Sequence, residues 1–295
     1  MIRVGPAGWS YPDWDSAVYP RYKPTGFHPL PYLARFMDCI EVNSSFYAMP
    51  REEHVVRWVR HVADRAEFRF AVKLLQDFTH GPHPGQDSGD WDAKAAQFKA
   101  AIDPLRRARK LGALLVQFPI QFIHGPVEVR RLGHLAKLFA GYPLVLEVRH
   151  SSWFEPPARS MVSGLGFSLA HIDLPESWNH PPAWHPPSGP IGYLRLHGRN
   201  AQDWFRSGAG RDDRYNYLYD ERELDALAGK ARRLAGVTDT TYVITNNHFG
   251  GQAVANGIEL KFLLSGERQM APPELLECFP RLERVADSDG QQRLF

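Results

Sequence analysis

The chain has 295 residues, 43% hydrophobic and 23% charged, with a formal net charge of +2 and a pI near 8.5. That length suits one large α/β domain or two smaller ones, and the near-neutral balance excludes a globally basic nucleic-acid binder, so any anion site must be local. Two cysteines, Cys39 and Cys278, exclude a disulfide framework and fit a reducing compartment. The first residues, MIRVGPAGWS, lack a charged leader followed by an apolar run, and no apolar stretch approaches a membrane span. The expectation is a cytoplasmic protein with no membrane partner.

In chain order, residues 2–8 (IRVGPAG) read as a first strand and 39–43 (CIEVN) as a second, with a short helix over 30–37 between them. Pro50 and a charged first turn open a helix over 51–62, and a third strand follows at 68–74. The loop at 76–91 is too long and too rich in Gly, Pro and His to be a plain connection. A helix over 92–109 precedes strand four (112–118), a helix over 126–139 precedes strand five (143–149), and a helix over 157–164 precedes strand six (167–172). Strand seven, GYLRLH (192–197), places Tyr193, Arg195 and His197 on one face, then turns at Gly198 into a basic and aromatic loop. A helix over 220–235, strand eight (241–247) and a last helix over 251–265 complete the pattern. Eight strand–helix alternations predict a single-domain, closed parallel (β/α)₈ TIM-type barrel over 1–270, with 271–295 as a C-terminal extension ending in a mobile tail. No GxGxxG follows strand one, no Walker sequence is present, and no GxSxG marks a nucleophilic serine.

In such barrels the working residues stand at the C-terminal strand ends. Here those ends carry Glu41 and Asn43, Lys73, Gln117, Glu147 and Arg149, His171 and Asp173, Arg195 and His197, and Asn246, Asn247 and His248. Several are i,i+2 pairs, whose members point to the same side of a strand. Burying such charges unpaired is costly, so they must pair, meet water or bind a ligand. One reading is structural, with Glu41–Lys73 or Glu147–Arg149 as inward salt bridges. The other is a site in which Lys73, Arg149 and Arg195 clamp an anion, Glu41 or Glu147 acts as base, and His197 or His171 acts as acid or metal ligand. Asn43, Asn246 and Asn247 then orient the substrate, joined at the mouth by Trp9, Tyr47 and Arg199. A divalent metal is an alternative cofactor, with Glu147, His171, Asp173, His197 and His248 as donors of the right chemistry but without a HExxH or cysteine motif. His80 and His83 match no ligand spacing. Aromatic residues such as Trp14, Trp153, Trp178, Trp184 and Trp204, interleaved with Arg206 and Arg211, suit stacking of bases or sugar faces, or simply pack loops onto the body.

The segments GWSYPDW (8–14), EVNSSFYAMP (41–50), FRFAVKL (68–74), VQFP (116–119), LEVRHSSWF (146–154), YLRLHGRN (193–200) and YVITNNHFGGQAVAN (242–256) resemble the family called domain of unknown function 72, the YecE-like proteins. The resemblance implies a TIM-type barrel and supplies no reaction. The last five residues, with Gln291, Leu294 and Phe295, follow a Q-x-x-L-F pattern similar to the peptide by which bacterial polymerases and repair proteins dock on the DNA sliding clamp. These features together predict a hydrolase or lyase acting on a phosphate-bearing substrate, with nucleic acid and the clamp as partner classes. The alternatives are a non-catalytic nucleic-acid or clamp-associated module and a sugar or sugar-phosphate enzyme.

Overall fold

The structure, a computed structural model, describes residues 1–82 and 90–289. His83 and the tail residues Gln291, Leu294 and Phe295 lie outside the described residues. All eight expected strand regions form strands, and two short ones follow near the C-terminus. The strands are β1 (Ile2–Pro6), β2 (Cys39–Val42), β3 (Arg69–Lys73), β4 (Leu111–Gln117), β5 (Leu144–Glu147), β6 (Ser168–Leu169), β7 (His171–Asp173), β8 (Ile191–Leu196), β9 (Thr240–Thr245), β10 (Gln269–Ala271) and β11 (Ala286–Ser288). Strand six of the sequence reading is therefore broken in two at Ala170.

The fold is α/β with parallel sheets. One sheet has the order β2-β3-β4-β5-β6, a second has β1-β9-β8-β7, and β10 pairs with β11. The expected single eight-stranded ladder is thus seen as two ladders. They adjoin at both ends: Ala7 bridges Glu41, and Ala170, between β6 and β7, donates its N–H to Leu146 O at 2.9 Å. The β1–β2 junction is tight because Gly5 has no side chain; a Cβ there would sit 1.7 Å from Cys39 O.

Residues paired across parallel strands share a face. Registers such as Glu41↔Ala71↔Ala113, Leu115↔Val145 and Ile172↔Arg195↔Ile244↔Gly5 define one inner face common to both sheets. Its lower part is a buried apolar cluster of mostly small residues, including Ala7, Cys39, Ala71, Ala113, Val145, Ala170 and Ile244. The outer faces are covered by helices with one apolar stripe. In the helix Glu221–Ala235 the buried positions are Leu224, Leu227, Ala228, Ala231 and Leu234, the i, i+3, i+4, i+7 spacing of a 3.6-residue period. Asp220 and Glu223 close its N-terminus with a reciprocal capping box, worth about 1 kcal/mol.

The C-terminal stretch packs on this body. β10 spans position 270, and Ala271, Leu275, Leu282 and Ala286 join the large apolar core. Arg281 donates to Tyr219 O and to Glu259, each at 2.6 Å. Among the described residues no helix is long and apolar enough to cross a membrane.

Candidate functional site

Immediately above the apolar inner cluster, the same strand phases deliver a polar layer: Glu41 from β2, Lys73 from β3, Gln117 from β4, Glu147 from β5, Arg195 from β8 and Asn246 after β9. Arg195 is at its centre. Its Nη2 donates to Glu41 Oε1 at 2.6 Å, its Nε to Glu41 Oε2 at 2.9 Å, and its Nη1 to Glu147 Oε2 at 3.1 Å. Tyr193, one step below on β8, donates its hydroxyl to Glu41 Oε2 at 2.7 Å. Glu147 Oε1 accepts from Arg149 Nε and Nη2 at 3.3 and 3.2 Å. Both carboxylates are fully buried, so this pairing is what makes their ionised burial tolerable. Burial alone would raise the Glu147 carboxyl, but Arg195, His197 and Arg149 hold it well below the usual carboxylate range. Of the two salt bridges foreseen in the sequence, Glu147–Arg149 forms, whereas Glu41 takes Arg195 instead of Lys73.

His197 completes the network. Asn246 accepts from Arg195 through Oδ1 at 3.4 Å and offers Nδ2 to His197 Nδ1 at 3.1 Å. That arrangement leaves the imidazole proton on Nε2, which faces Glu147 Oε1 at 3.4 Å. Burial pushes His197 down to about 4, so near neutral pH it is an uncharged ring locked in one tautomer.

Lys73 differs from its neighbours. It is buried at the end of β3, its ammonium nitrogen stands 3.7 Å from the centre of the Phe46 ring, and it has no hydrogen-bond or ion-pair partner among the described residues. Burial, reinforced by the charge of Arg195, pushes it down to about 7. It opens onto a cavity of about 360 Å³ that is also lined by Asn43, Gln117, Arg149, Arg195, Arg211, Arg214, Asn246 and His248. The cavity continues into a groove of about 930 Å³ that shares Tyr47, Lys73, Gln117, Arg149, Trp204, Arg214 and Tyr215 and adds His80, Trp178 and Phe205.

The cavity mouth is framed by the loop that follows β8. Gly198 adopts φ +88 there, and a Cβ on it would come within 2.7 Å of Tyr217 Cβ. Asn200 pins the loop by donating to Asp213 O at 2.9 Å. Trp204 packs edge-on to Tyr215 at 5.5 Å, Tyr215 lies 5.3 Å from His248, and Tyr11 stacks on His248 at 4.4 Å. His248 is pushed down to about 4 by burial and then by Arg211, and its Nδ1 is buried without a partner among the described residues.

Glu41, Glu147, Arg149, Arg195, His197, Asn246, Lys73, Asn43 and Tyr47 are thus gathered in or directly beneath one cavity. Four other expected members are not. His171 lies on the opposite phase of its strand from Ala170 and Ile172; it stacks on His185 at 3.7 Å, bonds His185 O and faces the helix layer. Asn247, one residue out of phase with Asn246, is fully buried and donates to Tyr217 O and Asn256 Oδ1, both at 2.8 Å. Arg199 forms a two-pronged ion pair with Asp173 at 2.8 and 2.7 Å and a second pair with Glu223. Trp9 packs edge-on against Trp58 at 5.5 Å and does not line the cavity. Arg214 and Tyr215 are cavity residues that sequence reasoning did not single out. Their signal was the basic and aromatic composition of the loop, which does not say which side chain turns inward.

Of the five metal-donor candidates, Glu147 and His197 meet at 3.4 Å and His248 lines the cavity, whereas His171 and Asp173 face outward. Among the described residues no group of three or more His, Cys, Asp and Glu side chains is placed to hold a metal ion.

Comparison with known proteins agrees with the motifs. A family model described as "Protein of unknown function DUF72" matches residues 3–277. The UPF0759 protein YunF of Bacillus subtilis is 29% identical over 95% of this chain and all of its own length. The UPF0759 protein YecE of Escherichia coli is 30% identical over 52% of this chain and half of its own length. Among solved structures, a DUF72 family protein from Enterococcus faecalis superposes with a TM-score of 0.77 at 25% identity, covering 90% of this chain and 95% of that one. A DUF72 family protein from Thermotoga maritima gives 0.76 at 28% identity, covering 90% and 99%. With the match running through nearly every strand and through the cavity residues, the chain belongs to the DUF72 family.

Proposed function

We propose that this protein is an enzyme, a hydrolase or lyase, whose cavity binds a phosphate-bearing substrate. The reading takes the two sheets as halves of one closed (β/α)₈ barrel, supported by the Ala7–Glu41 bridge and by the single-residue gap between β6 and β7. The observation that carries it is the charge balance of the cavity wall. Glu41 and Glu147 are already satisfied by Arg195 and Arg149, yet Arg214 faces the same space with no carboxylate in ion-pair range among the described residues, and Lys73 adds the charge of its protonated fraction. A cationic surplus in a polar cavity favours a compact anion.

Arg149 and Arg214 supply the flat, forked donors suited to phosphate oxygens, and Arg195 acts beneath them as a fixed charge rather than a direct contact. The carboxylates are poor bases because their oxygens are engaged, so the titratable group open to substrate is Lys73. The test is calorimetric titration with inorganic phosphate and pyrophosphate at low salt. Binding that weakens about tenfold in Arg214→Met, a loss of about 1.4 kcal/mol, supports the reading. No heat with either anion removes it.

The adjoining groove favours a second form of the same reading, in which the phosphate belongs to a single-stranded nucleic acid. Tyr47, Trp178, Trp204 and Phe205 offer stacking surfaces along it, and Trp178 is 91% exposed. Binding of labelled oligonucleotides that falls steeply with salt is the result this form requires, whereas a small substrate responds weakly.

A further inference from the structure

We propose that Lys73 is a nucleophilic amine that condenses with the carbonyl group of an aldehyde or ketone substrate, so that the phosphate-bearing substrate is also a carbonyl compound. The anion half of this inference rests on the function proposed above; the amine half stands on the geometry of Lys73 alone.

A lysine whose task is to hold charge is normally met by a carboxylate or by several carbonyl oxygens. The nearest carboxylates to Lys73, Glu41 and Glu147, spend their oxygens on Arg195, Tyr193 and Arg149. What Lys73 has instead is an aromatic face at 3.7 Å, two buried or half-buried guanidinium groups nearby, and an open side towards the cavity. The Phe46 face attracts an ammonium, whereas burial and the neighbouring guanidinium groups disfavour one, and the open side leaves the nitrogen accessible. Its backbone is also fixed, since Ser45 Oγ donates to Lys73 O at 2.7 Å and so ties β3 to the short helix that carries Phe46. With its position near neutrality, a large share of Lys73 is free amine at pH 7.

The step balances without an oxidant. The nitrogen lone pair attacks the carbonyl carbon and a C–N bond forms as the C=O π bond opens. The two amine protons then leave with the carbonyl oxygen as water, giving an imine. Protonation of its nitrogen yields an iminium, the electron sink that a lyase needs for cleaving or deprotonating an adjacent carbon. In the cavity, Arg149 and Arg214 hold the phosphate while Lys73 meets the carbonyl at the other end.

The test is reductive trapping on the full chain. The protein is treated between pH 6 and 10 with limiting formaldehyde, or with dihydroxyacetone phosphate, in the presence of sodium cyanoborohydride, and adducts are mapped by peptide mass spectrometry. Lys73 is expected to be modified at least tenfold faster than Lys23, Lys94 or Lys137 at pH 7, with a rate that is half-maximal near pH 7, where surface lysines keep rising to beyond pH 10. Lys73→Arg, which keeps charge and bulk, is expected to abolish that fast site and leave the others unchanged. Fast formaldehyde trapping with no preference for the phosphate-bearing ketone supports the amine and counts against the phosphate reading. Phosphate binding by calorimetry, with Lys73 trapped no faster than surface lysines by either reagent, overturns the amine and leaves the phosphate reading standing.

Discussion

Arg195 is the residue on which the polar layer depends. It joins a carboxylate from β2 to one from β5, and it orients Asn246, which in turn fixes the tautomer of His197. Arg195→Ala would leave Glu41 and Glu147 short of their main partner in a water-poor site, which costs about 3–5 kcal/mol. The expected result is a chain that unfolds at much lower urea, and a wild-type urea midpoint in this variant would show that the network is not structural. Lys73 gives the opposite sign. Its folded state resists protonation more than its unfolded state does, so this residue adds stability at high pH and withdraws it as pH falls from about 10.5 towards 7. Lys73→Met should therefore be more stable than wild type at pH 7 by a few kcal/mol, with the gap closing towards pH 10, as read from urea midpoints at the two pH values.

At the scale of elements, hydrophobic period and i,i+2 pairing were enough to place the strands and to foresee that Glu41, Glu147, Arg149, Arg195 and His197 share a face. Phase was the part that failed. Strand six reads as one run over 167–172, which puts His171 and Asp173 at its C-terminal end; in the fold the run breaks at Ala170, and Ala170 and Ile172 hold the inner positions. Asn247 failed as well, being adjacent to the inward Asn246. Long-range pairing was also illegible: nothing in the sequence says that Arg195, rather than Lys73, meets Glu41, because the distance between β2 and β8 is set by the inner packing. The C-terminal stretch read as an extension because its apolar residues are widely spaced among Pro, Glu and Arg. In the fold Leu275 and Leu282 are fully buried. A chain ended at residue 270 is expected to expose that part of the core, raising binding of an apolar dye and lowering the thermal midpoint by several degrees.

For the whole molecule the clearest solution property is its response to acid. His197 and His248 are pushed down to about 4 and His171 to about 3, all by burial first. In the unfolded chain each titrates near 6.5, so between that value and about 4 the unfolded state binds more protons than the folded one. Stability is expected to fall steadily from pH 6.5 down to pH 4, and Glu147, whose folded carboxyl is also depressed, extends the loss below the usual carboxylate range. Urea titrations at pH 7, 6, 5 and 4 check this. A flat midpoint over that interval would mean that the histidines are hydrated or charged in solution.

The pairing of β1 with β9 has a consequence for how the chain is made. Ile2 finds its ladder partner in Thr241, so the first strand leaves the ribosome long before the residues that complete its edge exist. At a synthesis rate of about 5–20 residues per second, that wait is on the order of ten to fifty seconds. Throughout it the sheet from β2 to β6, whose neighbours arrive one after another, is free to assemble. Until then β1 can be held only along its β2 edge, through contacts such as Ala7–Glu41, and its other edge stays open, a natural point of engagement for a chaperone.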